Sequence, residues 1–351
     1  MSMRIDELVR EARKQDASDI HLLFGQPPIC RLRGTLQPMA GEPLSGEECE
    51  TLARELAAGG YDELLRIGEL DRADTIEGVR VRINLFRQQE HTSAALRLLS
   101  DRIPELSSLG LPPAVEELTS LRRGIIVVTG VTGSGKSTTL AAMIDRINHS
   151  RAEHVITLED PIEYVYTPDR CIFNQREIGR DTQSYANGLR AALREDPDII
   201  LIGEMRDLDT IETALTAAET GHLVLATLHT GSAADAVDRM VDVFPEARQR
   251  QIRMQLSQTL QAVLSQQLLP DREGAGRVAA CELMLVNAAV RNLIREGKTP
   301  QIANVIATSA QEGAITMDNA LLKLVRDRKI LPETAKRAAH DPDFVRKNLA
   351  Y

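Results

Sequence analysis

The residues Gly130-Val131-Thr132-Gly133-Ser134-Gly135-Lys136-Ser137 fit the pattern G-x-x-x-x-G-K-S, and their flanks fix what can surround them. Ile125-Ile126-Val127-Val128 before them is an apolar run suited to a buried strand, and Leu140, Met143, Ile144 and Ile147 after them recur at helical spacing. Strand, glycine-rich turn and helix in that order make a loop whose successive N–H groups converge. Gly130, Gly133 and Gly135 reach the backbone angles this requires. Convergent N–H groups at a helix N-terminus attract anions, phosphate above all. Lys136 adds a point charge there and the Ser137 hydroxyl is placed to ligate Mg²⁺, so a nucleotide phosphate site is expected from Gly130 through Thr138. Without its flanks the same stretch would be a plain glycine-rich turn.

Beyond the loop, strand and helix patterns alternate. His154 to Leu158, Asp198 to Ile202 and His222 to Thr227 read as strands. A helical stretch ends near Arg194, and another runs through Ile211, Leu215 and Ala218. Such alternation predicts an α/β fold with a mainly parallel sheet covered on both faces, over about residues 119–270. Ligands of such folds bind at the carboxyl ends of the strands. After Ser232 the chain reads as mostly helical, with a long amphipathic segment marked by Ile252, Leu256, Leu260 and Val263. Arg277 to Val286 is a possible added strand, and short helices follow through 271–351.

The N-terminal part has a different pattern. Ile5, Leu8, Val9 and Ala12 mark a helix, Ser18 to Leu22 and Ile29 to Arg33 alternate as strands, and Ser45 with Glu48 forms a capping-box signature closed by Gly59-Gly60. Strand patterns then continue to about residue 98, so residues 1–98 predict a small α+β domain. In Val79-Arg80-Val81-Arg82-Ile83-Asn84-Leu85 and Ala94-Ala95-Leu96-Arg97-Leu98 the arginines fall opposite the apolar residues. By themselves they read as a solvated face. Residues 99–118, with Pro104, Gly110 and Pro112-Pro113, read as an interdomain linker without regular elements.

Composition narrows the partners. A net charge of −9 and only 3% aromatic residues argue against a general nucleic-acid binder. No apolar run approaches the roughly 18 residues that span a bilayer, and the N-terminus lacks a signal-peptide core, so a cytoplasmic protein without direct membrane insertion is expected. Cys30, Cys49, Cys171 and Cys281 are scattered, with no C-x-x-C pair to suggest zinc or redox chemistry.

Three strand ends carry polar groups. Leu158 precedes Glu159-Asp160-Pro161-Ile162-Glu163, and Glu163 is the candidate to orient or activate water. Ile199-Ile200-Leu201-Ile202-Gly203-Glu204 has the form of a Walker B strand, with Glu204 reaching the Mg²⁺ shell, through water. His222 and His229 bracket the third strand. His229 is the candidate for sensing a γ-phosphate and His222 for joining neighbouring elements, although either imidazole alone has ordinary structural uses.

With these segments in place, the chain resembles the secretion-ATPase superfamily that drives type IV pili and type II secretion. The likeness spans Ala17-Ser18-Asp19-Ile20-His21, the arginine strands, the phosphate loop, the Glu159 to Glu163 Asp box, the Walker B strand and the His box. It implies a PAS-like N-terminal domain joined to a RecA-like ATPase core, assembled as a homohexamer that hydrolyses ATP with Mg²⁺ and acts on an inner-membrane pilus platform protein. Under that resemblance Arg82 and Arg97 match the positions that reach nucleotide across the interdomain cleft, while Arg80 does not and stays a surface residue. Ala289-Val290-Arg291-Asn292-Leu293-Ile294-Arg295-Glu296 resembles the A-I-R-N-L-I-R-E helix of the pilus-retraction branch, with Val290 for Ile. The tetracysteine module usual in the extension and type II secretion branches is missing. A paralogous accessory retraction ATPase, as identity or as partner, a related pilus motor, a non-motor nucleotide-sensing scaffold and a DNA-translocating motor are the rival readings.

Overall fold

The computed structural model describes residues 4–32, 34–99, 102–274 and 276–349. Arg33, the end of one expected strand, and residues 100 and 101 of the expected linker lie outside the described residues, as does Ala275. The chain divides into two compact units, one of residues up to Arg102 together with Pro161–Val165, the other from Ile103 onward without that segment.

The N-terminal unit runs α1 (Ile5–Lys14), β1 (Ala17–Leu22), β2 (Ile29–Leu32), β3 (Thr35–Pro38), α2 (Gly46–Ala57), α3 (Tyr61–Ile67), β4 (Glu69–Ile76), β5 (Val79–Gln88) and β6 (His91–Leu98). Its strands form an antiparallel sheet in the order β3-β2-β1-β6-β5-β4. Alternation along β5 sends Val79, Val81, Ile83 and Leu85 into one core with Ile20, Leu96 and the inner faces of α1 and α2. The capping box forms as expected: the Ser45 hydroxyl accepts the Glu48 N–H, and the Glu48 carboxylate accepts the Ser45 N–H at 2.9 Å. Helix α3 departs from the expectation of strands throughout this stretch. Gly60 and Gly68 bound a helix of seven residues, too short for its periodicity to show between glycines.

The second unit continues with α4 (Ala114–Leu118), β7 (Gly124–Thr129), α5 (Lys136–Ser150), β8 (His154–Glu159), β9 (Ile172–Glu177), α6 (Tyr185–Ala192), β10 (Ile199–Ile202), α7 (Leu208–Glu219), β11 (Leu223–Leu228), α8 (Ala233–Asp242), α9 (Glu246–Thr259), β12 (Leu260–Pro270), β13 (Arg277–Leu285), α10 (Ala288–Glu296), α11 (Ile302–Thr308), α12 (Met317–Arg326), α13 (Pro332–Ala338) and α14 (Pro342–Leu349). The sheet order is β13-β12-β7-β11-β10-β8-β9, parallel except for the β12–β13 hairpin. This is the RecA-like α/β core. Ile125 and Val127 pack with Leu215, Val237 and Leu256 from α7, α8 and α9. Ile126 and Val128 are equally buried and point to the other face, where α5 meets β7.

Three expectations need correction here. Leu260 and Val263 belong to strand β12 and not to the preceding helix: a strand buried on both faces shows no alternation, so its apolar residues happened to extend the helical period of Ile252 and Leu256. Strand β9 went unseen because Ile172-Phe173-Asn174-Gln175-Arg176-Glu177 is a polar edge strand with Ile172 exposed. Regular structure also occupies residues read as linker, a 3₁₀ turn at Leu106–Leu109 and helix α4, with Leu106, Val115 and Leu118 buried. Pro112-Pro113 initiate α4 instead of interrupting the chain, a use of proline that its missing N–H allows.

Candidate active site

Strand β7 is buried at every residue and delivers Gly130 at its carboxyl end. Gly130 has φ 146°, and a Cβ there would stand 2.3 Å from the Gln266 carbonyl oxygen and 2.6 Å from Ser134 Oγ, so the position admits only glycine. Gly135, at φ 91°, is the N-cap of α5, whose first residue is Lys136. The loop thus ends on the N-terminus of a helix of 15 residues, where unpaired N–H groups and the macrodipole favour anions. Lys136 Nζ donates to the carbonyl oxygens of Gly130 (2.8 Å) and Val131 (3.1 Å) and so sits inside the curve of the loop. Val131, Thr132, Gly133 and Ser137 are exposed along its rim, Thr138 is half-buried, and Ser134 is buried with its Oγ lacking a partner among the described residues.

Two strands away, β10 places Gly203 and Glu204 just past its carboxyl end. A Cβ on Gly203 would lie 3.0 Å from Tyr185 Oη and 3.2 Å from the Leu158 carbonyl oxygen, a tight fit that β8 and α6 meet without adjustment because the residue is glycine. Glu204 Oε2 accepts from Arg206 Nη2 at 2.7 Å and stands 3.4 Å from His229 Nε2. Burial raises its pKa, but the Arg206 hydrogen bond and the charges of His229, Arg206 and Lys136 outweigh burial, so the carboxyl is held below its ordinary value. Glu204 is therefore an anion at neutral pH. Tyr185 nearby is shifted the opposite way, upward, by burial first and then by Asp160.

The third strand end is tied to the first. Thr129 Oγ1, on β7, bonds the Thr230 carbonyl (2.9 Å) and accepts the Thr230 N–H (2.8 Å), fixing the residue after His229. Thr227 Oγ1 donates to the Gly203 carbonyl and links β11 to the residue before Glu204. Lys136, Glu204 and His229 are thus brought together on the carboxyl edge of one sheet. His222 is not. It precedes β11, with its Nδ1 2.9 Å from the Ala217 carbonyl oxygen at the end of α7, a full strand length from His229. Bracketing β11 as expected, His222 joins the end of α7 to the start of that strand and stands away from Lys136, Glu204 and His229 within one chain.

Glu159 remains with β8, buried, accepting from Thr157 Oγ1 at 2.7 Å. Glu163 is half-buried in the Pro161–Val165 segment that groups with the N-terminal unit. In that unit Arg82 and Arg97 are direct cross-strand partners on β5 and β6, both exposed. Arg82 Nη2 lies 3.8 Å from Asp71 Oδ2, and Arg97 Nε donates to Asp19 Oδ1 at 3.1 Å. Arg80, expected as a surface residue, is half-buried and donates from Nε to the Ile162 carbonyl at 3.0 Å, inside the Asp box. Its side chain leaves β5 on the same face as Arg82, but it is spent on backbone.

Gln266 is the residue that sequence reasoning missed. It is buried on β12, one position past the Ser265–Thr129 pairing with β7. Its Oε1 accepts from Thr139 Oγ1 at 2.9 Å, and its Nε2 would lie 2.9 Å from a Cβ on Gly135. The available signal was a glutamine pair, Gln266-Gln267, following the mostly apolar stretch Leu260 to Leu264; reading that stretch as helix removed it from the strand ends.

The donors suit Mg²⁺. Exposed Ser137 at the helix start and anionic Glu204 offer hard oxygens to a small cation that keeps several waters and takes the rest of its shell from phosphate. Among the described residues no cluster of His, Cys, Asp and Glu forms an all-protein cage, and no helix is long and apolar enough to cross a membrane.

Comparison with known proteins gives the family. The type II/IV secretion system protein family matches residues 74–336. The type IV pilus retraction ATPase PilT of Pseudomonas aeruginosa is 44% identical, over 97% of this chain and 99% of that protein. YggR of Escherichia coli, an uncharacterised protein, is 49% identical over 91% of this chain and 97% of its own. A crystal structure of the pilus retraction motor PilT with bound ADP superposes with a TM-score of 0.92 at 46% identity, covering 98% of this chain and 99% of that one. By this match over most of its length, the chain belongs to the type II/IV secretion system protein family.

Proposed function

We propose that this protein is the motor subunit that hydrolyses ATP to power retraction of a type IV pilus, the activity behind twitching motility. The observation that carries the reading is the convergence of Lys136, Glu204 and His229 at the ends of three parallel strands, in a chain similar over nearly its whole length to a pilus retraction ATPase. Gly130 to Thr138 cradle the phosphates, with Lys136 exchanging its loop carbonyls for phosphate oxygens of higher charge. Glu163 orients or activates the attacking water, and His229 reads the γ-phosphate. Arg82 and Arg97 supply positive charge as it develops on the transferring group, an effect worth roughly 10³–10⁵ in turnover where arginines serve this role. Ser137 and, through water, Glu204 would hold Mg²⁺, whose contribution is to neutralise phosphate charge.

A ring of six copies, in the cytoplasm against the inner membrane, couples these cycles to a platform protein of the pilus machine. Loss of phosphate charge on hydrolysis releases Arg82 and Arg97, and the N-terminal unit moves. Steady phosphate release by the wild type, lost in Lys136→Ala and Glu163→Gln, together with restored twitching in a strain lacking its own retraction motor, is the expected result. ATPase activity without restored twitching favours the second reading, an accessory PilU-like ATPase or the motor of a related system. No phosphate release in any form of the protein would leave a nucleotide-sensing scaffold.

A further inference from the structure

The Ala17 to His21 segment has no task in the scheme above, yet it contacts one of the two proposed phosphate-directed arginines. Across the sheet, Asp19 on β1 pairs in register with Arg97 on β6, and Arg97 with Arg82 on β5. Two arginines directly opposed repel, and such a pair needs carboxylates beside it. The two available are not equivalent. Asp71 is exposed and reaches Arg82 only at 3.8 Å. The Asp19 side chain is 16% exposed, and its Oδ2 accepts from Ser18 Oγ at 2.8 Å with Arg31 Nε 3.8 Å away, so its orientation is fixed from β1 and β2.

Asp19 holds Arg97 by one nitrogen. Nε donates to Oδ1 at 3.1 Å and is the only nitrogen of Arg97 with a partner among the described residues, although the side chain is 65% exposed. A bond at Nε fixes the direction of the guanidinium while leaving both Nη groups for a planar two-oxygen acceptor. A simple cross-strand ion pair has no need of this choice, since a salt bridge through Nη would serve the sheet equally well. We propose that Asp19 is the positioning residue for Arg97, holding its guanidinium by Nε so that the Nη fork is presented, already oriented, to the phosphates of bound nucleotide. Ser18 and Arg31 hold Asp19 in turn. The inference rests on the reading of Arg97 as phosphate-directed.

A double-mutant cycle on the full chain tests it, with kcat and KM for ATP and the thermal midpoint measured for wild type, Asp19→Ala, Asp19→Asn, Arg97→Ala and Asp19→Ala/Arg97→Ala. Arg97→Ala is expected to lower kcat on the order of 10³-fold. Asp19→Ala should lower it about 10- to 100-fold, the cost of a misplaced group, with little change in KM. Asp19→Asn, whose Oδ1 still accepts from Nε, should fall between Asp19→Ala and wild type, and the double variant should match Arg97→Ala within about twofold if the effect passes wholly through Arg97. If Asp19→Ala lowers kcat by the same factor with and without Arg97, or leaves it unchanged, Asp19 is not a positioning residue. Should Asp19→Ala fail to fold, a wild-type kcat in Asp19→Asn overturns the proposal. A wild-type kcat in Arg97→Ala would instead remove the reading of Arg97, and this inference with it.

Discussion

Thr139 on α5 donates its hydroxyl proton to the side-chain oxygen of Gln266 on β12, and both residues are buried. Removing one partner leaves a buried polar group unsatisfied, which costs more than removing both. Thr139→Val is expected to destabilise the protein by about 1–3 kcal/mol, and Thr139→Val/Gln266→Leu to recover most of that loss. Urea denaturation of the three proteins checks this; a double variant no more stable than Thr139→Val would contradict it.

The loop glycines should not be equal. A methyl group on Gly130 meets the Gln266 carbonyl at 2.3 Å, whereas one on Gly133 meets nothing within 4 Å and suffers only the strain of φ 78°. Gly133→Ala should therefore cost about 1–2 kcal/mol and still bind nucleotide. Gly130→Ala should lose binding of a fluorescent ADP analogue by at least an order of magnitude. Equal affinities in the two variants would show that the loop is softer than its packing implies.

The pH dependence of the N-terminal unit has a defined sign at Asp19. Burial raises its pKa, but hydrogen bonds from Ser18 and Arg97 and the charges of Arg97 and His21 outweigh burial and leave the folded value below the ordinary one. A depressed carboxyl pKa gives stability that is fully present above the unfolded value, about 3.9, and is lost as pH falls through the folded one. The stability gap between wild type and Asp19→Asn should be constant from pH 7 to about 5 and narrow below about 4. A gap that widens on acidification would reverse the assignment.

Glu282 on β13 offers a test at some distance from the phosphates. One carboxylate oxygen accepts the Ala233 N–H at 2.8 Å and the other faces the Met317 N–H at 3.4 Å, so this buried acid joins the N-termini of α8 and α12. Glu282→Leu is expected to lose about 2–3 kcal/mol and to speed amide exchange at Ala233 and Met317 together. Acceleration at only one of them would separate the two helices.

The parts of this molecule legible in the sequence are those whose signal is local. The strand before Gly130, the helix after it and the Ser45–Glu48 box are each specified within a few residues and form where expected. What escaped depends on partners far along the chain. Gln266 matters because β12 lies beside β7, and nothing near residue 266 says so. His222 and His229 were legible as residues bracketing one strand, but the carbonyl that His222 meets, on Ala217 of α7, was not. Arg80 and Arg82 alternate identically on β5, yet one is spent on the Ile162 carbonyl, a bond between residues 82 positions apart.

The bonds between Thr129 and Thr230 join the root of the phosphate loop to the residue after His229. The strand that carries the phosphate loop and the segment that carries His229 are thereby tied side by side. Gly231 extends the tie, its carbonyl bonded to Ser265 Oγ on β12 and its chain leading directly into α8. Displacing His229 would therefore strain β7, β12 and the start of α8 together.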